Sequence, residues 1–365
     1  MFYSDAMTPV SIPAERRKGR AATSNPDVRF DRYSAEGVDD GWDIEEGLPQ
    51  IRTEVSIERP RKVITRNTSP DVGFDRSINP YRGCEHGCIY CFARPTHAYL
   101  GMSAGLDFET KLVARPEAPE QLVRELRAQS YVPRMIAMGT NTDPYQPIER
   151  EHGITRRILQ VLLEHRHPVG MVTKGTLIER DVDVLGELAS LGLTRVGISM
   201  TTLDADLSRR MEPRVPAPKR RLKAIERLSK AGIDVRVMVS PLVPGLTDPE
   251  MEAILTAARD AGAVAASWIN LRLPYEVSPL FRDWLAEHYP DRAARVMGRV
   301  REAHGGKDYD AQWGKRMRGE GEYAQMMAQR FKLAVKRLGL DRDLPPLRTD
   351  LFRIPPRAGD QLELF

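Results

Sequence analysis

Every cysteine of this chain falls within eight residues, Cys84-Glu85-His86-Gly87-Cys88-Ile89-Tyr90-Cys91. The spacing is C-x3-C-x2-C, with an aromatic residue directly before the third thiol. Cysteine thiolates are the usual ligands of iron–sulfur clusters. A four-iron cubane bound by three thiols keeps one iron without a protein ligand, open to a small molecule. Zinc is the competing metal, and His86 or His97 would complete a Cys3His set. Structural zinc sites, however, favour four ligands in two short pairs. An odd count in a chain of 365 residues also argues against a disulfide framework. The thiols therefore point to a 4Fe–4S cluster on Cys84, Cys88 and Cys91.

Length allows one large domain or two ordinary ones. Hydrophobic residues make up 41%, enough for a sizeable core, and no run of about 18 apolar residues is present to span a membrane. Arg16, Arg17, Lys18 and Arg20 stand near the start without the apolar stretch of a signal peptide. An oxygen-sensitive cluster also needs a reducing compartment, so the expected location is the cytoplasm. The formal net charge of +4 does not by itself announce a nucleic-acid binder.

Residues 1–60 are polar and lack periodicity, which predicts a mobile or irregular N-terminal arm. Ser77 to Gly83 reads as the end of a first strand entering the cysteine loop. Apolar strand-like runs then alternate with amphipathic stretches. Strands are expected at 134–139, 169–174, 195–201, 235–239 and 267–273. Helices are expected at 120–130, 155–165, 181–191, 219–231 and 249–261. Six strands alternating with helices imply parallel βαβ units, too few for a closed eight-stranded barrel. The expected fold is α/β, a partial (β/α)6 TIM-type barrel over 61–285. A basic helical extension should follow at 286–344, then an extended tail at 345–365. Between Arg292 and Arg337 twelve Lys/Arg face five Asp/Glu, with Tyr309, Trp313, Tyr323 and Phe331 interleaved. Such a segment suits phosphate contacts and base stacking, and equally a solvated helical face over the barrel.

Polar loops gather after the strand ends, where open parallel sheets collect ligands. Thr140, Asn141, Thr142 and Asp143 offer several acceptors, enough for an ammonium group. Lys174 ends the third strand as a point charge suited to a carboxylate or a phosphate. Ser199 ends the fourth strand, and Arg221 on the next helix has the fork to clamp a carboxylate. Arg272 stands at the barrel mouth as a substrate-facing cation.

The segments NPYRGCEHGCIYCFARPTHAY, GTNTDPYQPIE, the VTKG strand end, SMTTLDADLSRRMEP and LRLP together resemble the radical S-adenosylmethionine (SAM) superfamily, in a bacterial subfamily related to spore photoproduct lyase. The resemblance covers about Asn67 to Arg337. It implies that SAM chelates the open iron through its amino and carboxylate groups. Reductive cleavage then yields a 5′-deoxyadenosyl radical that abstracts hydrogen from the substrate. It places the Thr140–Asp143 loop at the SAM amino group, and Tyr90 and Phe92 beside the adenine. A flavodoxin- or ferredoxin-like electron donor is implied, with DNA bearing a damaged base as the leading substrate. RNA, a protein, a metabolite or a non-catalytic redox-sensing role are the alternatives. The lyase relies on a fourth cysteine to return a hydrogen. This chain has none, and Gly139 and Thr140 stand near the expected place. The ending Gln361-Leu362-Glu363-Leu364-Phe365 is similar to the peptide by which bacterial DNA polymerases and repair proteins dock on the sliding clamp, with Gln361 for hydrogen bonds and Leu362, Leu364 and Phe365 as apolar anchors.

Overall fold

The structure, a computed structural model, describes residues 12–14, 16–31 and 50–356. The ending Gln361–Phe365, on which the expected sliding-clamp contact rests, lies outside the described residues. Ten strands occur among them, β1 (Glu54–Ile57), β2 (Ile64–Arg66), β3 (Arg76–Ile78), β4 (Tyr81–Arg82), β5 (Lys111–Ala114), β6 (Ile136–Met138), β7 (Val169–Thr173), β8 (Thr194–Ser199), β9 (Val235–Leu242) and β10 (Ala265–Asn270). The main sheet runs β10-β9-β8-β7-β6-β3-β2. Its six strands from β3 to β10 are parallel, and β2 is added antiparallel to β3. This is an open α/β sheet with the six parallel strands expected from the alternation. A small sheet, β1-β5-β4, lies apart from it.

The crossover helices form where apolar residues recur at three and four. Ile154, Ile158, Leu159 and Leu162 on helix Ile154–Glu164 are fully buried, as are Ile225 and Leu228 on Pro218–Lys230. They cover Val169, Met171, Val196, Ile198, Val235 and Val237 of the strands. Each such side chain contributes roughly 1.5–3 kcal/mol on burial. Helix Pro218–Lys230 starts with proline at its first turn, where no amide hydrogen bond is lost.

The N-terminal arm has no helix or strand among its described residues through Asp31, yet it is tightly held. Arg20 to Ser24 are buried, and Glu109 accepts the amides of Ala21 and Ala22 at 3.2 and 3.0 Å. The basic extension is helical at Pro290–Ala303 and Gly321–Leu338. Two of its aromatic residues are packing groups, not free stacking platforms. Tyr323 is buried with its hydroxyl on Asp248 at 2.5 Å, and Phe331 packs on Trp268 of β10. Between the two helices, residues 314–318 join the edges of the open sheet. The Asn270 amide of β10 bonds the Met317 carbonyl at 2.9 Å, while Arg316 reaches Asp71, just after β2, at 2.5 Å.

Candidate functional site

The cysteine loop follows β4 and lies at the carboxyl ends of the parallel strands. Gly83 and Gly87 have φ of +70° and +65°, and a Cβ on Gly83 would meet Leu112 at 2.7 Å. Glycine is needed there for both sign and space. The turn is closed by Gly87 N–H to Cys84 O and by Cys91 N–H to Cys88 O, each 3.2 Å. Arg94, fully buried, donates to the carbonyls of Cys88, Gly87, Ala104 and Gly105 and pairs with Glu109 at 2.5 Å. One guanidinium thus fixes the loop from behind, and Glu109 carries that hold to the arm. Neither residue stood out in the sequence, because their pairing depends on packing.

All three cysteines are free thiols. Burial pushes the Cys84 thiol well up and the Cys88 thiol to about 12, and the neighbouring thiols add to it. They are close enough to feel one another. Yet no three His, Cys, Asp or Glu side chains among the described residues converge as a single metal ion requires. Three thiols on one short loop suit a cluster, whose ligands bind different irons. A cluster iron would also take the thiols as thiolates, removing the burial penalty.

The loop after β6 is divided in its duties. Asp143 accepts from Thr173 Oγ1 at 2.6 Å, the Lys174 amide at 2.8 Å and the Tyr145 amide at 2.9 Å, and stands 3.3 Å from His86 Nδ1. Burial would raise its pKa, but His86 and these donors hold it at about 2. Thr142 is buried, with its hydroxyl on the Tyr81 carbonyl. Two of the four expected ammonium acceptors are therefore occupied in tying this loop to β7 and β4. Thr140 and Asn141 are half-buried, and their side chains make no hydrogen bond among the described residues.

Lys174 directly follows β7, with its ammonium 5.7 Å from the Tyr90 ring centre. Burial pulls its pKa down, but Cys88, Glu212 and Asp143 outweigh that and keep it above the usual lysine value. Tyr90 is buried and donates its hydroxyl to Glu212. Glu212 also accepts from Thr201 Oγ1 at 2.8 Å and pairs with Arg221 at 2.8 Å. Arg221 is spent on this pair, on Ser208 Oγ and on the Ser199 carbonyl, at 0% exposure. The expectation that Arg221 clamps a ligand carboxylate is corrected: a carboxylate of the chain already holds it, since an unpaired buried charge is costly. Ser199 itself is buried at the end of β8. Phe92 is exposed, with Arg272 stacked on it at 4.0 Å.

The sequence profile of the Radical SAM superfamily matches residues 78–258, about half of the chain and the part that carries the thiols and the loops around them. The chain belongs to the radical SAM superfamily, whose cofactors are a 4Fe–4S cluster and SAM, and these are its cofactors. It is 38% identical over 224 residues to uncharacterized proteins of Mycobacterium tuberculosis and Mycobacterium bovis. That alignment covers 61% of this chain and 66% of the length of those relatives, just under two thirds. An uncharacterized protein of Methanocaldococcus jannaschii is 26% identical over 215 residues, covering 59% of this chain and 76% of that one. Among solved structures, spore photoproduct lyase complexed with dinucleoside spore photoproduct superposes with a TM-score of 0.56 at 14% identity, covering 78% of this chain and 79% of that one. A double mutant of the lyase with bound AdoMet and dinucleoside spore photoproduct gives 0.54 at 14% identity, over 78% of each chain. These likenesses show a shared fold.

Proposed function

We propose that this chain is an enzyme that reductively cleaves SAM to start hydrogen abstraction on DNA, in a lyase-like repair of a damaged base. Cys84, Cys88 and Cys91 hold the 4Fe–4S cluster. The observation that carries this reading is the meeting of three free, mutually close thiols with uncommitted polar groups at one end of the parallel strands. When bound on these thiols, the cluster would supply the electron for reductive cleavage of SAM.

The residues of the chain bind and orient around that chemistry. Thr140 and Asn141 accept from the SAM amino group, because their side chains are not otherwise engaged. Asp143 and Thr142 act one step back by fixing the loop that presents them. Lys174 neutralises negative charge beside Cys88. Ser199 and Tyr90 bound the space for the rest of SAM, with Phe92 at its open edge, and the Glu212–Arg221 pair fixes the Tyr90 hydroxyl. DNA as substrate is supported by the shared fold with a lyase solved with a dinucleoside photoproduct. The tail, on sequence grounds, fits a sliding clamp. A flavodoxin or ferredoxin is the fitting electron donor, and the cytoplasm the fitting compartment.

The test is 5′-deoxyadenosine yield from anaerobically reconstituted, reduced protein. Irradiated DNA should raise the yield above undamaged DNA, and Cys88→Ala should abolish it. A yield indifferent to both DNAs would remove DNA from the reading, and unchanged yield in Cys88→Ala would remove the cluster assignment.

A further inference from the structure

Arg272 stands two residues beyond β10, at the strand ends that carry the cysteine loop. Its guanidinium carbon lies 4.0 Å over the ring centre of Phe92, the residue next to Cys91. Among the described residues it makes no hydrogen bond and no ion pair. The fully buried arginines of this region are matched, Arg94 by Glu109 and Arg221 by Glu212. The carboxylate facing Arg272, Asp71, is instead taken by Arg316 at 2.5 Å and by the Gly314 amide at 2.7 Å. Arg272 is half-buried, and burial pulls its pKa below the ordinary arginine value, with Tyr309, Cys91 and Asp71 opposing and Arg316 adding to the shift. A cation–π contact with Phe92 is a modest return for that burial. That is less than a bidentate oxyanion gives a desolvated guanidinium.

The surroundings suit a planar, anionic ligand. Phe92 keeps 43% of its surface exposed although Arg272 covers part of the ring. Tyr309 lies near Arg272, and Trp313 on the same loop is 56% exposed. That loop is fixed to β10 through Asn270, whose side-chain amide donates to the Arg318 carbonyl at 2.7 Å. An unmatched guanidinium and open aromatic faces on a fixed frame are the elements of a single-strand binding site.

We propose that Arg272 and Phe92 form a nucleotide subsite beside the cluster, with Arg272 taking a phosphodiester and the uncovered part of Phe92 stacking the adjoining base. This rests on the DNA reading above and deepens it. The subsite sits on the Cys91 side of the loop and would hold a strand so that one base faces the cleaved SAM.

The experiment is a salt titration of a labelled single-stranded oligothymidylate on reconstituted holoprotein, followed by anisotropy, with iron content and SAM binding measured on each variant. Arg272→Gln should weaken binding about tenfold and reduce the log–log salt slope by about 0.7, the release expected for one single-strand phosphate contact. Arg272→Lys should keep the slope while binding less well, and Phe92→Leu should weaken binding without changing the slope. A purely structural role would lower affinity in Arg272→Gln and leave the slope unchanged, overturning the subsite. Loss of SAM binding with oligonucleotide affinity intact would assign Arg272 to the SAM carboxylate and overturn it as well. If Arg272→Gln matches wild type while irradiated DNA still stimulates deoxyadenosine formation, the subsite alone fails. If the wild type neither binds the oligonucleotide nor responds to DNA, the DNA reading and the subsite fail together.

Discussion

At Gly139 the backbone turns with φ of +87°, and a Cβ built there would lie 1.8 Å from the carbonyl oxygen of Val172. The obstructing atom belongs to strand β7, so no side-chain rotation relieves it. Thr140, the next residue, is half-buried and already carries a side chain. The resemblance to the lyase would put its fourth cysteine near these two positions, so their tolerance of a cysteine can be tested directly. Gly139→Cys should cost about 3 kcal/mol of stability. Thr140→Cys should stay within about 1 kcal/mol of wild type. Urea unfolding of the two variants checks this, and equal midpoints would refute it. At this scale the sequence shows which residues are polar and near the strand ends. It does not show that Asp143 is committed and Asn141 free, because partners of Asp143 come from the end of β7 and the residue after it, 30 and 31 residues further on.

Elements were the most legible part of the chain. Helix periodicity placed Ile154–Glu164 and Pro218–Lys230 to within about a residue, since burying one apolar stripe is a local pattern. The joints between elements are less legible, and one carries a pH dependence. His167, in the turn from helix Ile154–Glu164 into β7, is fully buried. Its Nδ1 lies 3.0 Å from the Pro168 carbonyl, which fixes the proton there, so Nε2 accepts from the Tyr131 hydroxyl at 2.7 Å. Burial lowers its pKa from 6.5 to about 4. Between those values the unfolded chain binds a proton that the folded chain refuses, so stability falls as pH drops through that window, by up to about 1.4 kcal/mol per pH unit. His167→Gln should flatten the stability profile between pH 6.5 and 4, as read from urea midpoints. An unchanged profile would place the dependence on other groups, such as His97, His165 and His288, whose pKa values burial also lowers.

For the whole molecule, the arm and the cysteine loop behave as one unit. Glu109, at 0% exposure, takes Arg94 on one side and the amides of Ala21 and Ala22 on the other. Arg20 continues the tie, with Nη1 on the Glu109 carbonyl and Nη2 on Thr53, whose hydroxyl reaches Glu85 at 2.6 Å. Deleting residues 1–31 would therefore leave a buried carboxylate short of two donors behind the thiols. The expected result is a soluble chain that retains less iron after anaerobic reconstitution, measured as iron per chain against full length. Full iron retention would show that the arm is dispensable to the loop.

The sequence by itself determined the three-thiol loop, the alternation of strand and helix, and the polar character of the strand ends. Each of these is written in spacing along the chain, where ligand count and the periodicities of helix and strand are read directly. Only the tertiary structure decided which charges are spent and which stay available. Arg221 and Arg272 look alike in the sequence, but packing gives Glu212 to the first and, among the described residues, no carboxylate to the second. Asp71 meets Arg316 across 245 residues. Burial makes an unpaired charge costly, so the fold selects partners by proximity in space, a quantity that no local pattern contains.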